Sequence, residues 1–185
     1  MLKNCNLLKN RFDVESATKL AKIGAEKGIM LSGITRDQTA ANLSLQNLQP
    51  ADVILIASDL KFMAVLTDLN LAVNRIGVEG AKAIAEALKV NAVLNNLDLA
   101  GLAGNAIEDD GAKAIAEALK VNPVLTDLNL AVNRIGVEGA KAIAEALKVN
   151  AVLTKLDLRI NNLGEAGKKA VRDAVKDRSG FVLEL

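Results

Sequence analysis

One 29-residue string occurs twice in this chain without a single difference: residues 66–94 and 125–153 both read LTDLNLAVNRIGVEGAKAIAEALKVNAVL. Between the copies, residues 94–124 read LNNLDLAGLAGNAIEDDGAKAIAEALKVNPV, and a fourth version starts at Leu153 as LTKLDLRINNLGEAGKKAVRDAVKDRSGF. The steps between first leucines are 28, 31 and 28 residues. Self-similarity at this period is the mark of a stacked repeat, in which a unit too small to bury its own apolar faces covers them with its neighbours.

Each unit changes periodicity halfway. Its first part, L-x-x-L-x-L, alternates as a half-buried strand does. In the first unit this turns Leu69 and Leu71 inward and Asp68, Asn70 and Ala72 outward. Its second part has helical spacing: Ala81, Ile84, Ala85 and Leu88 share one stripe, with Lys82, Glu86 and Lys89 opposite. Gly77 and Gly80 punctuate the turn into the helix, and Asn91 ends it. Strands pairing in parallel, with helices on the outside, bury both faces. Helices are wider than the strand spacing, so the stack bends with its sheet on the inner side. The expected fold is an α/β solenoid, with a parallel sheet on the concave side and helices on the convex side.

The pattern L-x-x-L-x-L-x-x-N-x-I-G-x-x-G-A-x-A-I-A-x-A-L-K-x-N, carried through residues 66–185, resembles the ribonuclease-inhibitor-type leucine-rich repeats. The resemblance implies a horseshoe. It also implies a structural asparagine ladder at Asn74, Asn105, Asn133 and Asn161, whose side chains bond neighbouring backbone groups that a buried loop would otherwise strand. Asn133→Ala is accordingly expected to destabilise more than Asn129→Ala.

The domain plan has an N-terminal cap over 1–42 and repeats over 43–185. The repeats divide into a degenerate first unit (43–65), full units at 66–93, 94–124, 125–152 and 153–180, and a partial strand at 181–185. In the degenerate unit, Leu43 and Leu45 are expected strand positions, with its turn two residues short; Val53, Ile56 and Leu60 are expected helical core. Asp13 should cap a helix over 14–27 that Gly28 terminates. The second unit's extra length falls in Ala100-Gly101-Leu102-Ala103-Gly104, a bulge or a functional loop. Glu108, Asp109 and Asp110 open the following helix, where they should complement its dipole rather than hold a metal.

The missing chemistry narrows function further. The chain has no histidine and one cysteine, Cys5, which excludes Ser-His-Asp and Cys-His catalysis, histidine zinc sites and thiolate clusters. No phosphate-binding or dinucleotide fingerprint is present, and no cofactor or metal is expected. Charges nearly balance, with the repeats leaning acidic and the flanks basic, so neither nucleic acid nor an anionic membrane is an expected partner. A lone cysteine and the lack of a long apolar run fit a cytoplasmic protein.

The expected binding surface is the concave face, formed by Asp68, Asn70, Asn96, Asp98, Asp127, Asn129, Lys155, Asp157 and Arg159. It is small and polar, with Arg159 as its only hot-spot residue type. The expected function is a non-catalytic scaffold binding a protein, in particular a basic one. The alternatives are a structural segment that self-associates through the C-terminal edge strand, and a GTPase regulator, as in some proteins with such repeats.

Overall fold

The computed structural model describes residues 2–102 and 105–185, so Ala103 and Gly104 of the second unit's long loop lie outside the described residues. Helix α1 (Val14–Lys27) is followed by strictly alternating strands and helices. These are β1 (Ala40–Asn42), α2 (Pro50–Leu60), β2 (Asp68–Asn70), α3 (Gly77–Leu88), β3 (Asn96–Asp98), α4 (Glu108–Leu119), β4 (Asp127–Asn129), α5 (Val137–Val149), β5 (Lys155–Asp157), α6 (Gly164–Val175) and β6 (Val182–Glu184). The six strands form one sheet in chain order, every neighbouring pair parallel. Each helix packs on the next one along the chain. This is the α/β solenoid that the change of periodicity implies.

Register runs straight across the sheet, aligning Ala41, Leu69, Leu97, Leu128, Leu156 and Leu183. Beneath them an almost purely aliphatic core runs the length of the stack, with Leu71, Ile84, Leu99, Ile115, Leu130, Ile143 and Leu158 fully buried. Val53, Ile56 and Leu60 are buried as expected. Small residues set the helix spacing: a Cβ added at Gly111 or Gly167 would lie 2.9 Å from the methyl of Ala81 or Ala140 on the preceding helix.

The first strand departs from expectation. It lies at Ala40–Asn42, with Ala41 opposite Leu69, so Leu43 falls level with Leu71 and Leu45 lies beyond the strand, 74% exposed. Alanine replaces the first strand leucine here, which makes the next Leu-x-Leu pair look like the strand when it is one alternation too late. The unit is not short either: Ala40 pairs with Asp68, a full 28 residues on.

The asparagine ladder is present. The Asn74 side chain accepts from the Gln46 and Leu48 amides and donates to the carbonyls of Leu43, Leu71 and Ala72. Asn105 and Asn161 repeat both halves of this along the stack, whereas Asn133 makes only the donated bonds, its Oδ1 having no partner among the described residues. A second ladder on the helix side was not anticipated. Asn91, Asn122 and Asn150 each accept from two amides just ahead of the next strand and donate to a carbonyl ending the previous unit's helix. At the same position one unit later stands Arg178. Its guanidinium donates to the Asn150 carbonyl at 3.0 Å and to the Leu153 carbonyl, and stacks on Phe181 at 4.6 Å. These three asparagines recur with the same steps as the recognised ladder, so the signal lay in the repeat arithmetic.

Two buried carboxylates on α2 clip the N-terminal segment to the first unit. Asp59, 2% exposed, accepts from the Leu31 and Ser32 amides at 2.8 and 2.7 Å. Asp52 accepts from the Lys9 amide at 2.6 Å while closing a capping box with Gln49. Asp13 caps α1 and Gly28 ends it in the left-handed region, as the sequence implies.

At the C-terminal end of the sheet the chain turns through left-handed residues: Leu45, Val73, Val132 and Ile160 have φ between 54° and 58°. For a non-glycine residue this conformation costs about 1–3 kcal/mol, most for a β-branched one. Ile160 is 78% exposed and packs against little. Ile160→Gly should therefore raise stability by about 1 kcal/mol in urea titration, after the extra chain entropy of glycine is set against the relief. A lower or unchanged midpoint would show the corner to be unstrained.

Candidate functional site

The concave face is built by the outward residues of β2 to β5, brought side by side by the parallel register. Asp68, Asn96, Asp127 and Lys155 form one row across the strands; Asn70, Asp98, Asn129 and Asp157 form the next. With β1 these residues, apart from Asp157, enclose a shallow groove of about 480 Å³. Of the residues expected there from the sequence, Asp68, Asn70, Asn96, Asp98, Asp127, Asn129 and Lys155 line this groove, while Asp157 ends β5 and Arg159 lies just past that strand.

Their roles differ from row to row. In the second row each side chain reaches forward to the amide two residues on: Asn70 to Ala72, Asp98 to Ala100, Asn129 to Ala131, Asp157 to Arg159, at 2.8–3.0 Å. The backbone there asks only for an acceptor, which either Oδ1 supplies. That explains why asparagine and aspartate alternate in this row. These residues shape the strand end as well as lining the face.

In the first row the charges are largely engaged with one another. Asp68 accepts from Thr67 and from Asn96, both at 2.5 Å, and these bonds hold its carboxyl below the usual range. Lys155 pairs with Asp127 at 3.0 Å, which holds the lysine above its ordinary value. Asp157 is only 4% exposed. Burial works to raise its pKa, but the hydrogen bonds and charge of Arg159 prevail and hold it low. Arg159 also reaches Glu184 on β6 at 2.9 Å. Asp98, mid-face, has no ion-pair partner among the described residues. Five carboxylates against two cations leave the floor acidic, most openly at its centre.

The acids that open α4 stand in its first turn as expected, and one of them has a second role. Asp109 accepts from the Gly136 and Gly139 amides at 2.7 and 2.8 Å, so it caps the next helix, α5. It stands with Glu108 and Asp110 in the first turn of its own helix. No cluster of metal-ligating side chains is present among the described residues. The bulge residue Leu102 projects outward, 72% exposed.

Comparison with known proteins agrees with this architecture. Residues 63–85, 102–116 and 121–144 match the family described as Leucine Rich repeat. No curated protein matches the sequence. Among solved structures, the chain is similar to Leiomodin-1 Actin-Binding Site 2, with 23% identity, a TM-score of 0.63, and 89% of this chain and 88% of that one covered. It is similar also to the tropomodulin C-terminal domain of Caenorhabditis elegans, with 14% identity, the same TM-score, and 89% and 92% covered. At such identities the likeness speaks for the fold, and with the strand register and the asparagine ladder it establishes the chain as a leucine-rich-repeat solenoid.

Proposed function

We propose that this chain is a non-catalytic scaffold that binds a protein partner on the concave strand face, and that the partner surface is basic. The observation that carries the reading is the continuous, half-exposed polar array across β2 to β5, acidic on balance and open at Asp98. The architecture supports it, since side chains from successive strands stand at a fixed spacing on rigid backbone. The similarity to a structure whose name states an actin-binding site supports a protein as the partner class. We assign the repeats to the ribonuclease-inhibitor type on their 28- and 31-residue steps, each with a complete helix. The segment ahead of β1 serves as an N-terminal cap, which the Asp52 and Asp59 clips support. A cytoplasmic setting fits the single cysteine, Cys5, and no helix among the described residues is long and apolar enough to cross a membrane.

Capture from lysate of the source cell tests this. The native chain should retain a basic protein whose binding weakens as salt rises, and Asp98→Lys with Asp127→Lys should slow its association about tenfold or more. A captured partner whose affinity ignores both the reversals and the salt would place binding elsewhere.

A second reading is favoured by β6, which among the described residues pairs only with β5. Its outer edge carries a single charge, Glu184, and such an edge can pair with another copy. Light scattering over a wide concentration range should then show a dimer that deletion of residues 181–185 abolishes. A strict monomer at high concentration rejects it.

A further inference from the structure

The left-handed corner residues form a row of their own. Leu45, Val73 and Val132 each donate their amide to the corresponding carbonyl of the next unit, Ala72, Ala100 and Arg159, so they recur once per unit along the C-terminal end of the sheet. Gly101 takes the same position in the long unit, donating to Ala131, and Leu102 beside it supplies the side chain. Ile160 ends the row. Leu45, Leu102 and Ile160 are each more than 70% exposed, and the two valines are partly so.

Leu45, Val73, Val132 and Ile160 carry two penalties at once, a backbone conformation that suits glycine or asparagine and apolar surface left in water, while Leu102 carries only the second. The fold needs neither, since the amide bond that defines the position is made equally well by Gly101. Contiguous exposed apolar surface beside polar ground marks an interaction site. On one flank of the row lies the acidic floor with Asp98 and Asp127.

The spacing selects the occupant. Parallel strands recur about every 4.8 Å, so the row spans about 19 Å. An α-helix presents one apolar residue about every 5.4 Å along a stripe, close to this step, and covers the row with about 13 residues. An extended chain presents same-side residues about 6.6 Å apart and falls out of step within a few contacts.

We propose that the row Leu45, Val73, Leu102, Val132 and Ile160, together with the acidic floor beside it, docks a basic amphipathic α-helix of a partner protein. The helix lies along the solenoid axis with its apolar stripe on the row and its lysines and arginines toward Asp98 and Asp127. This rests on the protein-binding reading above and names the partner's form and seat.

The test uses the full chain and a labelled, helix-stabilised peptide of about 14 residues, with leucines at alternating three- and four-residue spacing and lysines along one flank. Fluorescence anisotropy should give a micromolar Kd, at least tenfold tighter than a scrambled peptide of the same composition or one with glutamate for lysine. The triple variant Val73→Asn, Val132→Asn, Ile160→Asn should bind at least tenfold more weakly while its thermal midpoint holds or rises, because asparagine tolerates the left-handed region. Lost affinity in a protein no less stable cannot be attributed to unfolding. No binding at millimolar peptide overturns the inference, as does equal binding by the scrambled peptide. If Asp98→Lys with Asp127→Lys abolishes peptide binding but the triple variant does not, the row falls while the concave-face reading stands. If the triple variant weakens the peptide but no basic partner is captured on the concave face, the row stands and the broader reading falls.

Discussion

Asn74→Ala should lower stability by about 3–5 kcal/mol, because it strands several buried backbone groups at once and each unsatisfied group costs about 1–3 kcal/mol. The Asn74 side chain makes five backbone hydrogen bonds: it accepts from the Gln46 and Leu48 amides and donates to the Leu43, Leu71 and Ala72 carbonyls. It is 2% exposed, so no water replaces it without opening the loop. Asn133→Ala should cost somewhat less, about 2–4 kcal/mol, since it strands three carbonyls, those of Leu99, Leu130 and Ala131. Asn129→Ala removes a single bond, accepted from the Ala131 amide, and should cost about 1 kcal/mol. Urea midpoints for the three variants check the order. Equal midpoints would mean that the ladder does not hold the loops.

Asp59→Ala should be comparably damaging, by about 2–4 kcal/mol, because the Leu31 and Ser32 amides lose their acceptor inside the protein and the N-terminal segment loses its clip. Asp59→Asn keeps an acceptor and should cost less. The two variants also separate by pH. Burial pushes the Asp59 carboxyl above its ordinary value, against the hydrogen bonds from Ser32 and Leu31 and the charge of Arg36. The folded protein therefore holds this proton more tightly than the unfolded chain. Its contribution to stability is fully present below the unfolded pKa, near 4, and is lost as pH rises through the raised folded value. The stability of the native chain relative to Asp59→Asn should thus increase as pH is lowered from 7 toward 4. A constant or opposite difference would show that the clip is already satisfied as a carboxylate.

Much of the fold was legible in the residues because a repeat states its own geometry several times. The change from alternating to helical spacing placed five of the six strands, and the C-terminal Phe181–Leu185 segment set Leu183 opposite Leu156 as expected. The first strand was misplaced because Ala41 gives no hydrophobic signal of its own, and only pairing with Leu69 reveals its position. On the concave face the row order was legible, but not its bonding. Asp98 and Asn129 look different as letters and do the same work as acceptors, while Asp157 looks like a surface charge and is buried under Arg159. The clips at Asp52 and Asp59 read in sequence as polar positions of a helix. Their amide partners lie up to 43 residues away, and no local pattern points across that distance.

The two identical strings mark where local sequence stops deciding. Both place Leu, Ile and Ala in the core and Asn in the ladder, since those positions depend on periodicity alone. Yet their turns differ. In the first copy Arg75 is not left-handed and Gly77 is, with φ 64°; in the second Arg134 has φ 60° and Gly136 is extended. The neighbours differ, and they select the turn. The first copy lies against Pro50 at the start of α2, where the Asp52 carboxylate is taken up by the Lys9 and Gln49 amides, and the Gly77 amide turns to the Asn105 carbonyl. The second lies against α4, where the Asp109 carboxylate draws the Gly136 and Gly139 amides toward itself. One set of residues thus has two turns close in energy, and a single carboxylate on the adjacent helix settles which is adopted.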